Sequence, residues 1–152
     1  MARTIGTALA LVAMLLANAC DPLAYLYVRQ PLQPAPAMDC LTAALFSSPE
    51  HVRVARVGGD PLVDRRWITL RDSTTGKNTD ATIARDTTDV TVTFVWGGHK
   101  ALFGPPATEV QARAALATRL LAHIRTQCAP DAPEEVECKL NDRQVSCHAS
   151  AT

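Results

Sequence analysis

The chain has little lysine, few aromatic residues and no net charge. Its 152 residues include 3 Lys, 2 Trp, 2 Tyr and 3 Phe, and 15 basic residues balance 15 acidic ones. A nucleic-acid-binding protein needs an excess of basic residues to displace counterions from phosphates, so this balance argues against a nucleic-acid partner. The apolar fraction of 47% is nevertheless sufficient for the core of one folded domain.

The sequence also lacks the short motifs that mark the common catalytic and metal sites. It contains no G-x-S-x-G, no P-loop, no G-x-G-x-x-G, no H-E-x-x-H and no C-x-x-C. These motifs place nucleophiles, phosphate-binding loops and metal ligands. Without them, we expect a protein that is not an enzyme and that holds no cofactor and no metal.

The N-terminus has the organisation of a secretory signal peptide. A short segment with Arg3 precedes the uncharged run 5–17, and a small-residue cleavage site ends at Ala19. A helix of this run would be about 20 Å long, which is too short for a hydrocarbon core of about 30 Å. We therefore expect residues 1–19 to be removed on export. The alternative is an uncleaved membrane anchor that continues past Asp21, at the energetic cost of a buried carboxylate.

The pair Ala19-Cys20 resembles the lipobox of bacterial lipoprotein precursors. The resemblance is confined to residues 1–21. It implies that Cys20 becomes a lipidated N-terminus, held by membrane lipid at the bacterial cell envelope and facing the periplasm. Alternatively, the small residues Ala17 and Ala19 suit ordinary signal peptidase, which would leave a soluble secreted protein.

Residues 20–37 are rich in proline. Pro22, Pro31, Pro34 and Pro36 disfavour helix and sheet and favour extended polyproline II structure. At that extension, residues 29–38 would span about 30 Å and would lift a domain clear of a membrane. This composition predicts a tether that follows the lipidated cysteine. A terminal strand packed on the domain is the alternative.

Residues 38–152 are expected to form a single α+β domain. Four segments have β-branched or alternating composition, and two have helical spacing of apolar residues. The strand segments are 51–57, 66–72, 81–85 and 89–96, and the helical segments are 39–47 and 108–128. Because the strands precede the long helix without β-α-β alternation, we expect an antiparallel sheet of three or four strands, with the helices on one face. A β-hairpin over 135–148 is expected at the edge of the sheet.

Apart from the lipidated cysteine, four cysteines remain, and they predict two disulfides. A two-residue turn at Asp142-Arg143 places Cys138 opposite Cys147, close enough for a disulfide within the hairpin. Cys40, at the start of the first helix, is then left to pair with Cys128, at the end of the long one. The cysteines and histidines lack zinc-ligand spacing, and an exported protein meets oxidising conditions, so both observations favour disulfides over a metal site.

The loop that leaves the last predicted strand is the candidate binding site. Glycines there allow close approach of a partner, and Trp96, His99 and Phe103 are candidate contact residues. The exposed loop 72–80 is a second candidate surface. We therefore expect a non-enzymatic accessory protein with a protein partner, such as an envelope-complex subunit or an immunity-type inhibitor. The alternative is a small periplasmic hydrolase or ligand-processing enzyme that uses His99 with a nearby acid.

Overall fold

The computed structural model describes residues 22–50, 53–57, 64–72 and 75–148. The predicted signal peptide and Cys20 lie outside these residues, so cleavage and lipidation stay predictions. No helix in the described part of the chain is both long enough and apolar enough to span a membrane.

The described residues form an antiparallel sheet with three helices. The strands are β1 (Leu23–Pro31), β2 (Arg53–Val57), β3 (Asp64–Arg71), β4 (Asn78–Arg85), β5 (Asp89–Gly97), β6 (Glu137–Leu140) and β7 (Arg143–Gln144). The helices are α1 (Met38–Ser47), α2 (Gly98–Phe103) and α3 (Ala107–Cys128). Spatially, the strands follow the order β2-β3-β4-β5-β1-β6-β7. The predicted α+β class is confirmed, whereas the expected count of three or four strands is wrong.

The first strand lies inside the sheet. β1 pairs with β5 along its whole length, from Leu23 opposite Gly97 to Pro31 opposite Asp89, and it pairs with β6 on its other side. The tether predicted over 20–37 is therefore wrong for Leu23–Pro31, and the alternative of a packed terminal strand is correct. Proline does not prevent this strand, because Pro31 is its last residue. There the missing N–H removes no hydrogen bond from the interior of the strand. The domain consequently begins at β1 and not at residue 38.

The side chains of β1 alternate strictly between buried and more exposed positions, as expected of a strand with one covered face. Every second side chain of β1 is buried, and these side chains are Ala24, Leu26, Val28 and Gln30. The intervening side chains point to the opposite face of the sheet, because successive residues of a strand alternate between faces.

Helices α1 and α3 cover one face of the sheet, as predicted. α1 buries Leu41, Ala44 and Leu45, and α3 buries Val110, Ala114, Leu116, Ala117, Leu120, Leu121 and Ile124. These side chains pack with the inward-facing residues of the strands to form one core, in which Phe94 and Leu26 are fully buried. The predicted disulfide between Cys40 and Cys128 joins the start of α1 to the end of α3, with their Cα atoms 5.8 Å apart.

The second predicted disulfide, between Cys138 and Cys147, is also present, with a Cα–Cα distance of 5.4 Å. The register predicted around it is wrong. Leu140 pairs with Arg143, so the turn is Asn141-Asp142 and not Asp142-Arg143. Only the short β7 continues the hairpin. Val145 still donates a backbone hydrogen bond of 2.9 Å to the carbonyl of Cys138, so Cys138 lies opposite Val145 and not opposite Cys147.

Backbone conformation explains this shift. Asn141 and Asp142 have φ values of 47° and 66°, a left-handed region that Asn and Asp adopt more readily than arginine. The side chain of Asn141 also fixes the turn, because its Oδ1 accepts a hydrogen bond of 2.8 Å from the backbone N–H of Tyr25.

Two segments that were predicted as loops contain part of a helix or a strand. The segment 97–106 contains the six-residue helix α2, bounded by Gly98 with φ 59° and Gly104 with φ 84°. These positive φ values favour glycine and let the chain turn sharply into and out of the helix. The loop predicted over 72–80 ends earlier than expected, because β4 already begins at Asn78 and pairs there with Arg71.

Candidate functional site

The fold divides the predicted binding loop between core and surface. Trp96 is 3% exposed, because the alternation along β5 turns it toward the helices on the same side as Phe94. Its role as an exposed contact residue is therefore wrong. His99 and Phe103 lie on the exposed side of α2, with ring centroids 4.7 Å apart.

Glu109 links Trp96 to both neighbouring helices. Its carboxylate accepts hydrogen bonds from Trp96 Nε1 at 2.9 Å, Lys100 Nζ at 2.7 Å and Arg113 Nη2 at 2.7 Å. The Arg113 guanidinium also lies over the Trp96 ring, 4.3 Å from its centroid. Since Lys100 belongs to α2 and Glu109 to the first turn of α3, the cluster fixes α2 against the core.

The protonation of this cluster follows from its contacts. The hydrogen bond from Lys100 is the largest influence that lowers the pKa of Glu109, and the Trp96 hydrogen bond and the Arg113 charge act in the same direction against burial. Burial lowers the pKa of Arg113, and the Glu109 carboxylate partly offsets that effect.

An open cleft of about 520 Å³ lies beside the Glu109 cluster, between the turn after β3 and the start of α3. Its charged lining is mixed, with Lys77, Lys100 and Arg113 alongside Asp72 and Glu109. Two of those cations are already paired with Glu109. The cleft therefore presents no concentrated charge of one sign to a ligand.

Exposed apolar side chains lie on α2 and at the beginning of β1, which pairs with the residue before that helix. Leu102 is 65% exposed, Phe103 74% and Leu23 50%. A methyl group placed on Gly97, the residue before α2, would lie 3.7 Å from Leu23 Cδ2, so Leu23 adjoins the start of the helix. We call Leu23, Leu102 and Phe103 the α2 surface. Sequence reasoning identified Phe103 but missed the two leucines.

The sheet face opposite the helices is the second exposed surface, which we call the open face. Paired positions place one row of side chains across five strands, since directly opposed residues of antiparallel strands share a face. The row consists of Lys139, Tyr27, Thr93, Thr82 and Trp67. At about 4.8 Å between strands, Tyr27 and Trp67 are separated by roughly 14 Å, with two threonines between them.

Aromatic side chains project from the open face. Trp67 is 50% exposed, and the rings of Tyr25 and Tyr27 stack with centroids 5.9 Å apart. Burial raises the pKa of Tyr27, with smaller contributions from Tyr25 and Asp142, so its hydroxyl stays protonated at neutral pH. Val95, opposite Tyr25, is 41% exposed and extends the apolar part of this face.

Ion pairs border the open face on the side of β6. Arg29 pairs with Asp89 at 2.6 Å, and this hydrogen bond raises the pKa of Arg29. Lys139 pairs with Glu137 at 2.7 Å and lowers the pKa of that carboxyl group. A shallow cavity of about 270 Å³ lies among these residues and Tyr27.

The arrangement expected of a catalytic histidine is not formed by the described residues. The ring of His99 contacts the Phe103 ring rather than a carboxylate or hydroxyl group, on an exposed helix. One serine–histidine contact that sequence reasoning missed joins Ser47 Oγ to His123 Nε2 at 3.1 Å. It lies on the exposed side of the α1–α3 contact, and the sequence separation of 76 between the partners left no local signal.

The remaining cysteines and acidic residues form no metal centre in the part of the chain that the structure describes. Cys40, Cys128, Cys138 and Cys147 are all engaged in disulfides. These disulfides join the start of α1 to the end of α3, and β6 to the chain beyond β7.

Comparison with protein-family models, curated proteins and solved structures finds no match to this chain. Its function must therefore be inferred from the geometry of its surfaces.

Proposed function

We propose that this protein is a small exported lipoprotein that displays one non-enzymatic binding domain at the bacterial cell envelope, facing the periplasm. The lipobox-like sequence at Ala19-Cys20 supports the anchor, since a diacylglyceryl group and an N-acyl chain together suffice for stable membrane attachment. Two disulfides suit an oxidising compartment outside the cytoplasm.

The open face is the observation that carries the binding role. The outer face of a half-covered antiparallel sheet is normally polar. Here Trp67, Tyr27, Tyr25 and Val95 project from it among threonines, and ion pairs lie at its border. Protein interfaces have this composition, in which aromatic side chains provide most of the binding energy and a polar rim surrounds them.

The breadth of the open face and the two disulfides of the domain support a protein partner over a small molecule. The row of side chains on this face crosses five strands, and the cavity beside Tyr27 is open and shallow. A preformed surface loses little conformational entropy on binding, which favours recognition of another folded protein. Such a surface suits a subunit of an envelope complex or an immunity-type inhibitor of a periplasmic toxin.

Site-specific photo-crosslinking in the producing cells tests this role. A photoreactive amino acid replaces Thr93 at the centre of the row, and the control replaces Thr126, which is exposed on α3. We expect one protein adduct of discrete mass from position 93 and none from position 126. The adduct should disappear in the Trp67→Ala variant, because loss of an interface tryptophan costs about 2 kcal/mol or roughly 30-fold in affinity. It should persist in Phe46→Ala, whose side chain is exposed on α1.

Two results would overturn the proposal. Equal crosslinking from positions 93 and 126 would show that the open face has no specific partner. Turnover of a cell-wall or lipid substrate that the His99→Ala substitution abolishes would favour the enzymatic alternative, in which His99 acts with an acid supplied on substrate binding.

A further inference from the structure

The α2 surface exposes more apolar area than a six-residue surface helix requires. None of the residues of α2 is fully buried, and its two largest apolar side chains, Leu102 and Phe103, are 65% and 74% exposed. Leu23 adjoins the start of the helix and is half-exposed. Contiguous exposed apolar side chains mark interaction sites in soluble domains.

The chain itself indicates what lies against this surface. Cys20 precedes Leu23 by three residues, and three residues span at most about 11 Å. Leu23 belongs to the folded domain, because it pairs with Gly97 of β5 and begins the strand that β6 flanks from Leu26 to Arg29. A lipid attached to Cys20 therefore brings the α2 end of the sheet within about 11 Å of the lipid attachment point.

We propose that the α2 surface inserts into the membrane interface as a second membrane contact beside the acyl chains. This inference rests on the proposed lipidation of Cys20. Leucine and phenylalanine are the side chains that bury at the boundary between headgroups and acyl chains, whereas the exposed His99 on the same helix suits the headgroup level. The three side chains that define the α2 surface are all apolar, whereas threonines and ion pairs lie among the aromatic side chains of the open face. This difference favours lipid over protein as the occupant of the α2 surface.

This contact also sets the orientation of the domain. With the beginning of β1 at the membrane, the strand runs away from the bilayer, and the open face stands exposed to the periplasm. The short connection replaces the spacer of about 30 Å that the prolines suggested. A partner would then meet the open face close to the membrane surface.

Depth-dependent fluorescence quenching tests the contact. The lipidated full-length protein is reconstituted in vesicles of phosphatidylethanolamine and phosphatidylglycerol, with and without bromine on the acyl chains. Phe103→Trp places a reporter on the α2 surface, and Phe46→Trp is the matched control, since Phe46 is 67% exposed on α1. Both variants keep the native Trp67 and Trp96, so the wild-type protein supplies the background.

We expect the tryptophan at position 103 to show blue-shifted emission and to lose fluorescence in brominated vesicles, while the one at position 46 matches the background. Equal quenching at both positions in protein that floats with the vesicles would refute the membrane contact and leave the lipid anchor intact. Protein that fails to float would refute both. A blue shift at position 103 that is seen in native envelopes, but is absent when the protein is alone in lipid vesicles, would identify a protein occupant. That result would likewise overturn the inference.

Discussion

Replacing Glu109 disrupts the contact that holds α2 against the core. Its carboxylate accepts hydrogen bonds from Trp96, Lys100 and Arg113, and its side chain is 25% exposed. Glutamine keeps an acceptor for the Trp96 indole and removes the charge. Alanine removes both, so the two variants separate the hydrogen bond to a buried ring from the ion pairs.

The contacts give the size of each effect. Leaving the buried Trp96 N–H without an acceptor costs about 1–3 kcal/mol. The Lys100 pair is half-exposed and adds at most about 1 kcal/mol, and loss of the better-shielded Arg113 pair adds about 1 kcal/mol. We therefore expect Glu109→Ala to lower the free energy of unfolding by about 3 kcal/mol and Glu109→Gln by about 1–2 kcal/mol. For a domain of this size each kcal/mol lowers Tm by about 4 °C.

The pH dependence has a definite sign. The pKa of Glu109 is lowered in the folded protein, chiefly by the hydrogen bond from Lys100, from an ordinary value of 4.5. The charge of Glu109 therefore stabilises the fold fully above that ordinary value, and this stability is lost as the pH falls through the lower folded pKa. Thermal unfolding at a series of pH values should show the difference between wild type and Glu109→Gln shrinking below about pH 4.5.

Glu134→Gln is the control, because that carboxylate pairs with Arg125 while 84% exposed, and its loss should leave Tm nearly unchanged. If Glu109→Ala destabilises the protein no more than Glu134→Gln does, the cluster does not hold α2. If the Glu109→Gln difference is the same at low and neutral pH, the lowered pKa is contradicted.

Three further predictions concern stability, each measured by urea denaturation. Replacing both cysteines of the Cys40–Cys128 disulfide should lower the free energy of unfolding by about 4–5 kcal/mol, because this disulfide closes the longer loop. Replacing both cysteines of the hairpin disulfide should lower it by about 2–3 kcal/mol, and equal losses would contradict the loop-length argument. Arg119→Met should cost about 2 kcal/mol, since Arg119 pairs at 2.8 Å with the buried Glu50, and an unchanged midpoint would rule out that role. Asn141→Ala should cost about 2 kcal/mol through its positive φ and its lost hydrogen bond, whereas a shift no larger than that of Glu134→Gln would refute the turn assignment.

Local patterns in the sequence predicted much of the fold. The helix spacing over 108–128, the alternation of β5 and both disulfide pairings are confirmed. Each depends on residues close in sequence, or, for Cys40 and Cys128, on elimination among four cysteines.

The errors have physical causes. β1 alternates strictly, but its partners are the distant strands β5 and β6, and the nearby prolines suggested an extended tether. The hairpin register depended on which two residues adopt positive φ, and Asn141-Asp142 is the better pair. Trp96 was predicted as a contact residue of the loop, whereas the alternation that it shares with Phe94 places it in the core.

The candidate site was only partly predictable. Phe103, a predicted contact residue, is 74% exposed, and its contact role stays a prediction; the fold adds the exposed Leu102 and Leu23. The row that runs from Tyr27 to Trp67 exists only through strand pairing, because these residues are 40 positions apart and no local pattern places them on one face. A surface formed by non-local pairing cannot be found without the sheet order.

The central claim is that a lipid on Cys20 holds this domain against the envelope membrane. Intact-mass measurement of the protein purified from the producing cells tests it most directly, together with partitioning between the detergent and aqueous phases. We predict an N-terminus at Cys20 that carries a diacylglyceryl group and an N-acyl chain, in protein that enters the detergent phase. An unmodified N-terminus in protein that remains in the aqueous phase would contradict the account.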